Sequence, residues 1–357
     1  MAKRRFTQSL LVWSKRAALG LLGIALLTTA VGAGWEAYER QVARKDYPPV
    51  GRLIDIGGRR IHLDCRGQGS PTVVLENGLD IDGTLAWSAV HNPVAAFTRT
   101  CAYDRAGIAW SDDKNTLHDA DGVVSDLRAT LRAAGEKGPF VLVGHSLGGT
   151  YAMNYVRKHS SEIAGLVFID ASHPDQIDRI RAAGIHGANE GSTIVLQILA
   201  RLTWSGLPRL LFMGQSMPNA SLTANSEMRA FASVGLPAAA AEAEQVPRTM
   251  RQAGALRTLG ARPLGERPLV VLTGTKTPAA ELLKEAGMTL ADYNRLRALV
   301  IVLHDDEASW SSRGRHQLVP DATHYIQLER PDVVIAAIKE VVADVRAEKK
   351  AQARTVR

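Results

Sequence analysis

The sequence predicts an α/β fold in which a mostly parallel sheet is covered by helices on both faces. Short, nearly all-apolar runs recur along the chain, which is typical of strands that are buried on both sides. Segments with helical periodicity separate these runs, and such alternation predicts parallel strands joined by crossover helices. Near the middle of the chain, the sequence GHSLGG at 144–149 joins one apolar run directly to a helical segment.

Each element can be assigned in order along the chain. Two alternating runs, 51–56 and 60–65, flank two glycines and predict a β-hairpin. Later apolar runs predict strands at 72–76, 101–103, 140–144, 165–170, 268–274 and 317–319. Helices are expected at 85–97, 119–134, 149–159, 278–303 and 331–348. From 173 to about 262 the chain has helical periodicity and no clear strand, so this segment is predicted to be an inserted cap.

The N-terminal segment predicts a membrane anchor. Residues 1–16 are basic and contain no acidic side chain, and residues 17–34 carry no charge. At about 1.5 Å per helical residue the uncharged run covers about 27 Å, just short of a hydrocarbon core of about 30 Å. An uncleaved anchor is favoured over a cleaved signal, because the run is long and Trp13, Trp35 and Tyr38 flank it as interfacial aromatics would.

The remaining boundaries and the location follow from this anchor. Residues 35–49 end in Pro48-Pro49 and are predicted to be a linker. The folded domain is expected at 50–348, followed by a basic tail at 349–357. With basic residues on the inner side, the chain is expected to cross the cell membrane once and to hold this domain on the extracytoplasmic side. A secreted or periplasmic domain, released by cleavage near residues 30–33, is the alternative.

Composition and cysteine content agree with an exported globular domain. The chain is 46% hydrophobic and 22% charged, which excludes a disordered protein. The net charge of +7 comes from basic residues concentrated at the two ends, so nucleic-acid binding is not predicted. Cys65 and Cys101 lie in two predicted strands, and a disulfide between them is expected; two unpaired buried thiols are the alternative.

The clearest chemical signal is the G-x-S-x-G sequence around Ser146. A serine on a tight turn between strand and helix projects its hydroxyl above the sheet, and Gly144 and Gly148 permit the strained backbone. The N–H of Leu147, at the start of the following helix, would face an oxyanion formed beside Ser146. Ser146 is therefore the candidate nucleophile.

At these motifs the sequence resembles the α/β-hydrolase superfamily, over about residues 50–342. Besides GHSLGG, the resemblance rests on ENGL at 76–79, YDRAGIAWS at 103–111 and DATHY at 321–325. The second segment departs from the family's YDRxGxGxS at Ala109, where glycine is usual, but this is not a catalytic position. The resemblance implies an eight-stranded, mostly parallel sheet with a helical cap, and a serine hydrolase activity.

The resemblance also implies a base, an acid and a second oxyanion donor. His324 follows the last predicted strand, where the family places the base that activates the serine. Asp170, at the end of the strand after the nucleophile, is the preferred orienting carboxylate, and the N–H of Leu79 is the second donor. Three other carboxylates remain alternative acids: Asp175, Glu281 and Asp292. Asp321 is expected to shape its loop. The other histidines near these motifs are expected to pack: His145, His173 and His304.

The expected reaction is hydrolysis of a carboxylic ester or similar small acyl substrate through an acyl-enzyme on Ser146. Acyl transfer, C–C bond hydrolysis and a catalytically silent binding protein remain alternatives. Dehalogenase and epoxide-hydrolase chemistry are not expected, because the family's versions have a carboxylate in place of this serine. No cofactor or metal site is predicted, since the histidines are scattered and neither a P-loop nor a dinucleotide-binding glycine motif is present. The substrate and the oligomeric state are left open.

Overall fold

A twisted eight-stranded sheet forms the centre of the molecule. The computed structural model describes residues 2–185, 192–217 and 220–355. The strands are β1 Arg52–Asp55, β2 Arg60–Arg66, β3 Thr72–Glu76, β4 Thr100–Tyr103, β5 Phe140–His145, β6 Ile163–Ile169, β7 Leu269–Gly274 and β8 Gly314–Val319. Their order in the sheet is β1-β2-β4-β3-β5-β6-β7-β8. The first two pairings, β1 with β2 and β2 with β4, are antiparallel and the others are parallel, as predicted.

Helices follow most strands and differ from the predicted ones mainly at their breaks. They are α1 Ala2–Asp46, α2 His91–Ala95, α3 Ala120–Ala133, α4 Leu147–His159, α5 Gln176–Ala182, α6 Ser192–Arg201, α7 Leu207–Phe212, α8 Leu222–Gly254, α9 Ala280–Glu285, α10 Leu290–Ser309, α11 Ile326–Glu329 and α12 Pro331–Thr355. The single helix predicted at 278–303 is divided into α9 and α10. Gly287 adopts a φ of +64° after α9, and the Thr289 side chain accepts a hydrogen bond from the N–H of Asp292 to begin α10.

Alternate residues of the central strands face two separate apolar cores. Val73 and Leu75 of β3 pack in one cluster with residues of α12, whereas Val74 between them packs in the other with residues of α3 and α4. Both faces are thus covered by helices, which explains why the central strands are apolar almost throughout. The predicted architecture is confirmed.

The two cysteines are joined across the antiparallel edge of the sheet. Cys65 of β2 lies directly opposite Cys101 of β4, and a disulfide connects them. The expected pairing is confirmed, and the alternative of two free thiols is wrong. A disulfide persists in oxidising compartments, which agrees with an exported domain.

The segment predicted to be a linker is helical over most of its length. α1 runs without a break to Asp46, and only the two following prolines keep it from continuing. Its C-terminal part packs against the predicted cap: Ala43 is buried beside Phe231 of α8, and Glu36 accepts a hydrogen bond from Arg209 of α7. The polar residues of this segment therefore make a specific contact, and the linker prediction is wrong for residues 35–46.

α1 is also the candidate membrane span. It is long and apolar enough to cross a bilayer or to act as a signal anchor, by length and composition alone. The predicted cap, between β6 and β7, contains α5 to α8.

Candidate active site

Ser146 lies on the turn between β5 and α4 with a strained backbone. Its φ is +51° and its ψ is −123°, a conformation that costs a non-glycine residue about 1–3 kcal/mol. The turn is closely packed: a side-chain carbon on Gly148 would overlap the carbonyl oxygens of Glu76 and Asn77, and one on Gly144 would overlap Gly148. Gly148 is therefore required by the approach of β3 to this turn, and Gly144 by the approach of the first residues of α4.

The turn after β3 lies beside Ser146. A side-chain carbon on Gly78 would lie only 2.9 Å from Cβ of Ser146, so the backbone at this point contacts the serine directly. Leu79 is the next residue, and Leu147 follows Ser146 at the start of α4. The two N–H groups predicted to bind an oxyanion thus belong to segments that flank Ser146, and their role stays a prediction.

A buried arginine holds the turn after β3 in place. Arg105 donates hydrogen bonds to the carbonyl oxygens of Asn77 and Gly78, at 2.9 and 2.5 Å. It also pairs with two buried carboxylates, Glu76 at 3.0 Å and Glu242 of α8 at 2.7 and 2.9 Å. Because Glu242 belongs to the predicted cap, the guanidinium of Arg105 connects this cap to the turn beside Ser146.

Two buried carboxylates stabilise the positive charge of Arg105 in the protein interior. Burial opposes the charged form of this guanidinium, but the carboxylates of Glu242 and Glu76 hold its pKa well above the usual value. Burial raises the pKa of Glu76 to about 7, although Arg105 opposes this effect. The neighbouring carboxylate of Asp104 does not join this group of charges but contacts Nδ1 of His62 at 2.7 Å.

His324 and Asp170 meet at the carboxyl end of the parallel strands. Nδ1 of His324 lies 2.6 Å from Oδ2 of Asp170, and the other carboxylate oxygen accepts a hydrogen bond of 3.0 Å from the N–H of Gly274. Asp170 ends β6 with a φ of +43°, whereas His324 lies in the loop after β8. Sequence positions 154 residues apart are thereby brought into hydrogen-bond contact.

Asp170 carries a second charged partner. Arg297 of α10 donates hydrogen bonds to both of its carboxylate oxygens, at 3.1 and 2.7 Å. Burial raises the pKa of Asp170, but the hydrogen bond from His324 and the positive charge of Arg297 outweigh burial and hold this pKa well below its usual range. Asp170 is therefore held in its ionised form beside His324.

His145 supports the loop that carries His324. Its Nε2 donates to the backbone carbonyl of His324 at 3.0 Å, and the two rings lie 4.8 Å apart. Burial and the nearby charge of His324 lower the pKa of His145 to about 3, which keeps it neutral and able to make this contact. His145 thus packs, as expected, and it does so against the residue predicted to be the base.

The other candidate side chains lie apart from His324. Asp175 pairs with Arg257 at 2.6 Å, and Asp321 pairs with Arg330 at 2.9 Å. The remaining ones also have places of their own: Glu281 is exposed in the first turn of α9, Asp292 lies in the first turn of α10, His173 contacts Asp306, and His304 contacts Thr273 and the carbonyl of Ala171. Within the described residues, Asp170 alone among the predicted acids contacts His324.

Sequence reasoning missed Arg297 and Glu242. Arg297 is 127 residues from Asp170, and Glu242 is 137 residues from Arg105. Both lie within helices whose local sequence gives no sign of a distant partner. A charged residue on the buried side of a helix was the only available signal, and it does not name the residue it pairs with.

Comparison with known proteins decides the family. Residues 30–337 match the model of the alpha/beta hydrolase family. The chain belongs to this family. A relative of this alpha/beta hydrolase chain, YbdG of Bacillus subtilis, is 26% identical over 145 residues, or 38% of this chain and 45% of YbdG. The chain spans less than half the length of the curated relatives that it matches.

Solved structures show how far the alpha/beta hydrolase fold extends along the chain. An esterase from Thermogutta terrifontis matches with a TM-score of 0.54 and 18% identity, over 82% of this chain and 97% of the esterase. A protein of Pseudomonas aeruginosa assigned as an epoxide hydrolase matches with a TM-score of 0.59 and 18% identity, over 84% of this chain and 98% of that one. At these identities the likeness establishes the shared fold.

Proposed function

We propose that this chain is a serine hydrolase that cleaves a carboxylic ester, or a similar small acyl substrate, through an acyl-enzyme on Ser146. The observation that carries the proposal is the 2.6 Å contact between His324 Nδ1 and Asp170 at the edge of the sheet where Ser146 lies. Asp170 accepts a hydrogen bond from Nδ1–H of His324, so the neutral imidazole keeps Nε2 free to act as a base. The strained turn at Ser146 further supports its role as nucleophile.

The reaction divides into acylation and deacylation. In acylation, Ser146 Oγ attacks the carbonyl carbon while His324 takes its proton, and Asp170 stabilises the imidazolium that forms. The N–H groups of Leu79 and Leu147 would bind the oxyanion, after which the alcohol leaves with the proton from His324. In deacylation, His324 takes a proton from water as the water oxygen attacks the acyl carbon. His324 then returns this proton to Ser146 Oγ, which releases the acid and the free serine. A serine forms an ester intermediate here, which is why alkyl-enzyme chemistry on a carboxylate nucleophile is not proposed.

The proposal is tested by labelling and turnover of the full chain in detergent micelles. A fluorophosphonate probe is expected to label wild type on Ser146, and p-nitrophenyl esters of increasing acyl length are expected to be hydrolysed. Ser146→Ala should lose both signals, while Ser111→Ala, which removes a buried hydroxyl of the loop after β4, should keep the label. A wild-type chain that neither takes the label nor hydrolyses any ester would contradict the proposal. Product formed on an added alcohol in preference to water would assign acyl transfer instead.

We expect Arg297 to set the pH range of activity through Asp170. The positive charge of Arg297 disfavours the imidazolium that forms when His324 takes a proton. In Arg297→Met this opposing charge is absent, so the acidic limb of the kcat/KM profile should move up by about 1 pH unit. Rates of ester hydrolysis, measured from about pH 4 to about pH 9 at intervals of about half a unit, check this shift.

The matched control is Arg295→Met on the same helix. Arg295 pairs with Asp292 at the surface and does not touch Asp170 in the described structure. Its variant should keep the wild-type profile. A loss of rate in Arg297→Met without movement of the acidic limb would show that Arg297 only supports the fold.

We further propose that α1 anchors the catalytic domain to the outer side of the cytoplasmic membrane. The basic residues at 1–16 favour an inner N-terminus, and the disulfide between Cys65 and Cys101 favours an oxidising outer compartment for the domain.

A further inference from the structure

One side of the predicted cap is unusually apolar for a surface. We define the apolar cap face by Ile194, Val195 and Ile198 of α6, Trp204 of the short helical turn that follows, and Leu210 and Leu211 of α7. Each of these side chains is half or more exposed. Single exposed apolar residues are common, but a cluster of large ones on adjacent helices marks a surface that contacts another apolar phase.

The charge of this segment suits the surface of a membrane. Residues 192–217 contain no aspartate or glutamate and two arginines. Arg209 is buried against Glu36, which leaves the exposed Arg201 next to the apolar cap face. An apolar face edged by positive charge is typical of segments that lie in the interface of a bilayer with anionic lipids.

The apolar cap face also adjoins the point where the candidate membrane helix ends. A side-chain carbon on Gly32 of α1 would overlap the carbonyl oxygen of Ser205, so the backbones touch there. One on Gly206 would lie 2.8 Å from the ring of Trp35. Ser205 and Gly206 join Trp204 to α7, so the contact lies between the two parts of the apolar cap face.

The position of Gly32 fixes the depth of this contact. If the uncharged run 17–34 spans the hydrocarbon core, Gly32 lies two residues, or about 3 Å, inside its outer boundary. Ser205 then lies at the level of the outer lipid interface. The C-terminal end of α6 and the start of α7, on either side of Ser205, are held near this level.

α1 cannot swing away from the cap without breaking buried polar contacts. Glu36 accepts hydrogen bonds from Arg209 at 2.8 Å and from Ser233 of α8 at 2.7 Å, and both partners are buried. Separating α1 from the cap would expose this cluster or leave a buried charge unpaired, which is strongly unfavourable. The orientation of the cap relative to the membrane normal is therefore fixed by α1.

We propose that the apolar cap face inserts into the outer interfacial layer of the same phospholipid bilayer that α1 spans. The inference rests on the proposed anchoring by α1, and it adds a second membrane contact made by the catalytic domain itself. The cap of the catalytic domain would then contact the surface of the bilayer, so the domain would not extend away from the membrane.

The test measures membrane depth on the full chain. The chain is reconstituted in vesicles of phosphatidylcholine and phosphatidylglycerol, and the variant Leu210→Cys is labelled with an environment-sensitive maleimide dye. The two native cysteines are bonded to each other and do not react. Lipids that carry a nitroxide near the headgroup are expected to quench most of the fluorescence, and Leu211→Cys provides a second, neighbouring position.

Two matched positions serve as references. Leu22→Cys on α1, 56% exposed in the structure, reports whether the anchor is in the bilayer. Val302→Cys, 55% exposed on α10, reports a similarly exposed site on a helix that packs against β7 and β8. The proposal predicts quenching at positions 22, 210 and 211 and little at 302.

Each other outcome overturns the proposal. Quenching at position 22 with positions 210 and 211 unquenched like 302 would show an anchored chain whose cap is clear of the membrane. No quenching at position 22 would remove the anchor on which the inference rests. Energy transfer between labels at position 210 of two copies, without lipid quenching, would show that a second chain covers the face. Fluorophosphonate labelling of the same samples tests the serine hydrolase proposal separately, since it does not depend on membrane depth.

Discussion

Exchange of Asp170 for asparagine is expected to lower kcat for a soluble ester by a factor of about 10⁴. The reason lies in its contacts: one carboxylate oxygen faces Nδ1 of His324, and both accept from Arg297. An amide keeps the shape but removes the charge that stabilises the imidazolium, and its N–H₂ group meets either the Nδ1–H or the guanidinium as a second donor. Initial rates at saturating ester, measured on a protein that unfolds at the same urea midpoint as wild type, check this loss.

Asp175→Asn is the matched control for this exchange. Asp175 lies five residues later and pairs with Arg257 at the surface. Its variant should keep the wild-type kcat, because exposed ion pairs contribute little and this one does not touch His324. If Asp170→Asn kept full activity while Asp175→Asn lost it, the orienting role assigned to Asp170 would be wrong.

Exchange of Arg105 for methionine is expected to lower the free energy of unfolding by about 3–5 kcal/mol. Methionine fills much of the same volume, so the loss comes from the partners left behind. Glu76 and Glu242 would be buried close together without a counter-charge, and the carbonyls of Asn77 and Gly78 would lose their donor. Urea unfolding of the full chain in detergent micelles, followed by tryptophan fluorescence, measures the shift of the midpoint.

Arg315→Met separates burial from the mere loss of an ion pair. Arg315 makes a two-point contact with Glu340, at 2.6 and 2.5 Å, but both side chains are well exposed. Its variant should change the free energy of unfolding by at most about 1 kcal/mol. Equal midpoint shifts in the two variants would contradict the argument that burial makes Arg105 important.

Much of the fold was predictable because the signals are local. An apolar run with a two-sided burial pattern can be recognised from its own residues, and the turn at Ser146 carries both of its required glycines within the motif. The loop carrying His324 was found by its order after the last strand. These assignments need no knowledge of which distant segments meet.

The pairings across the chain could not be predicted for the same reason. Asp170 was one of several carboxylates compatible with the sequence, and only the geometry brings it to His324. Arg297 could not be matched with Asp170 in the same way. The residues around an arginine in a helix do not indicate whether its side chain faces a buried partner or the solvent.

The N-terminal helix shows a different limit of sequence reasoning. The sequence predicts a polar linker at 35–49, whereas α1 continues to Asp46, just before the two prolines. Glu36 is instead buried because Arg209 and Ser233 surround it. Polarity indicates exposure only when no complementary partner lies elsewhere in the chain.

The pairing of Arg105 with Glu242 has a consequence for protein engineering. Caps are natural units to exchange between relatives when a new substrate range is sought, and such a graft assumes that the two parts are independent. Here a replacement cap must bring a carboxylate to the place of Glu242. Without it, Arg105 would lose both hydrogen bonds that Glu242 accepts, and the turn that flanks Ser146 would be held less firmly. A hybrid enzyme would then lose rate even with an intact set of catalytic side chains.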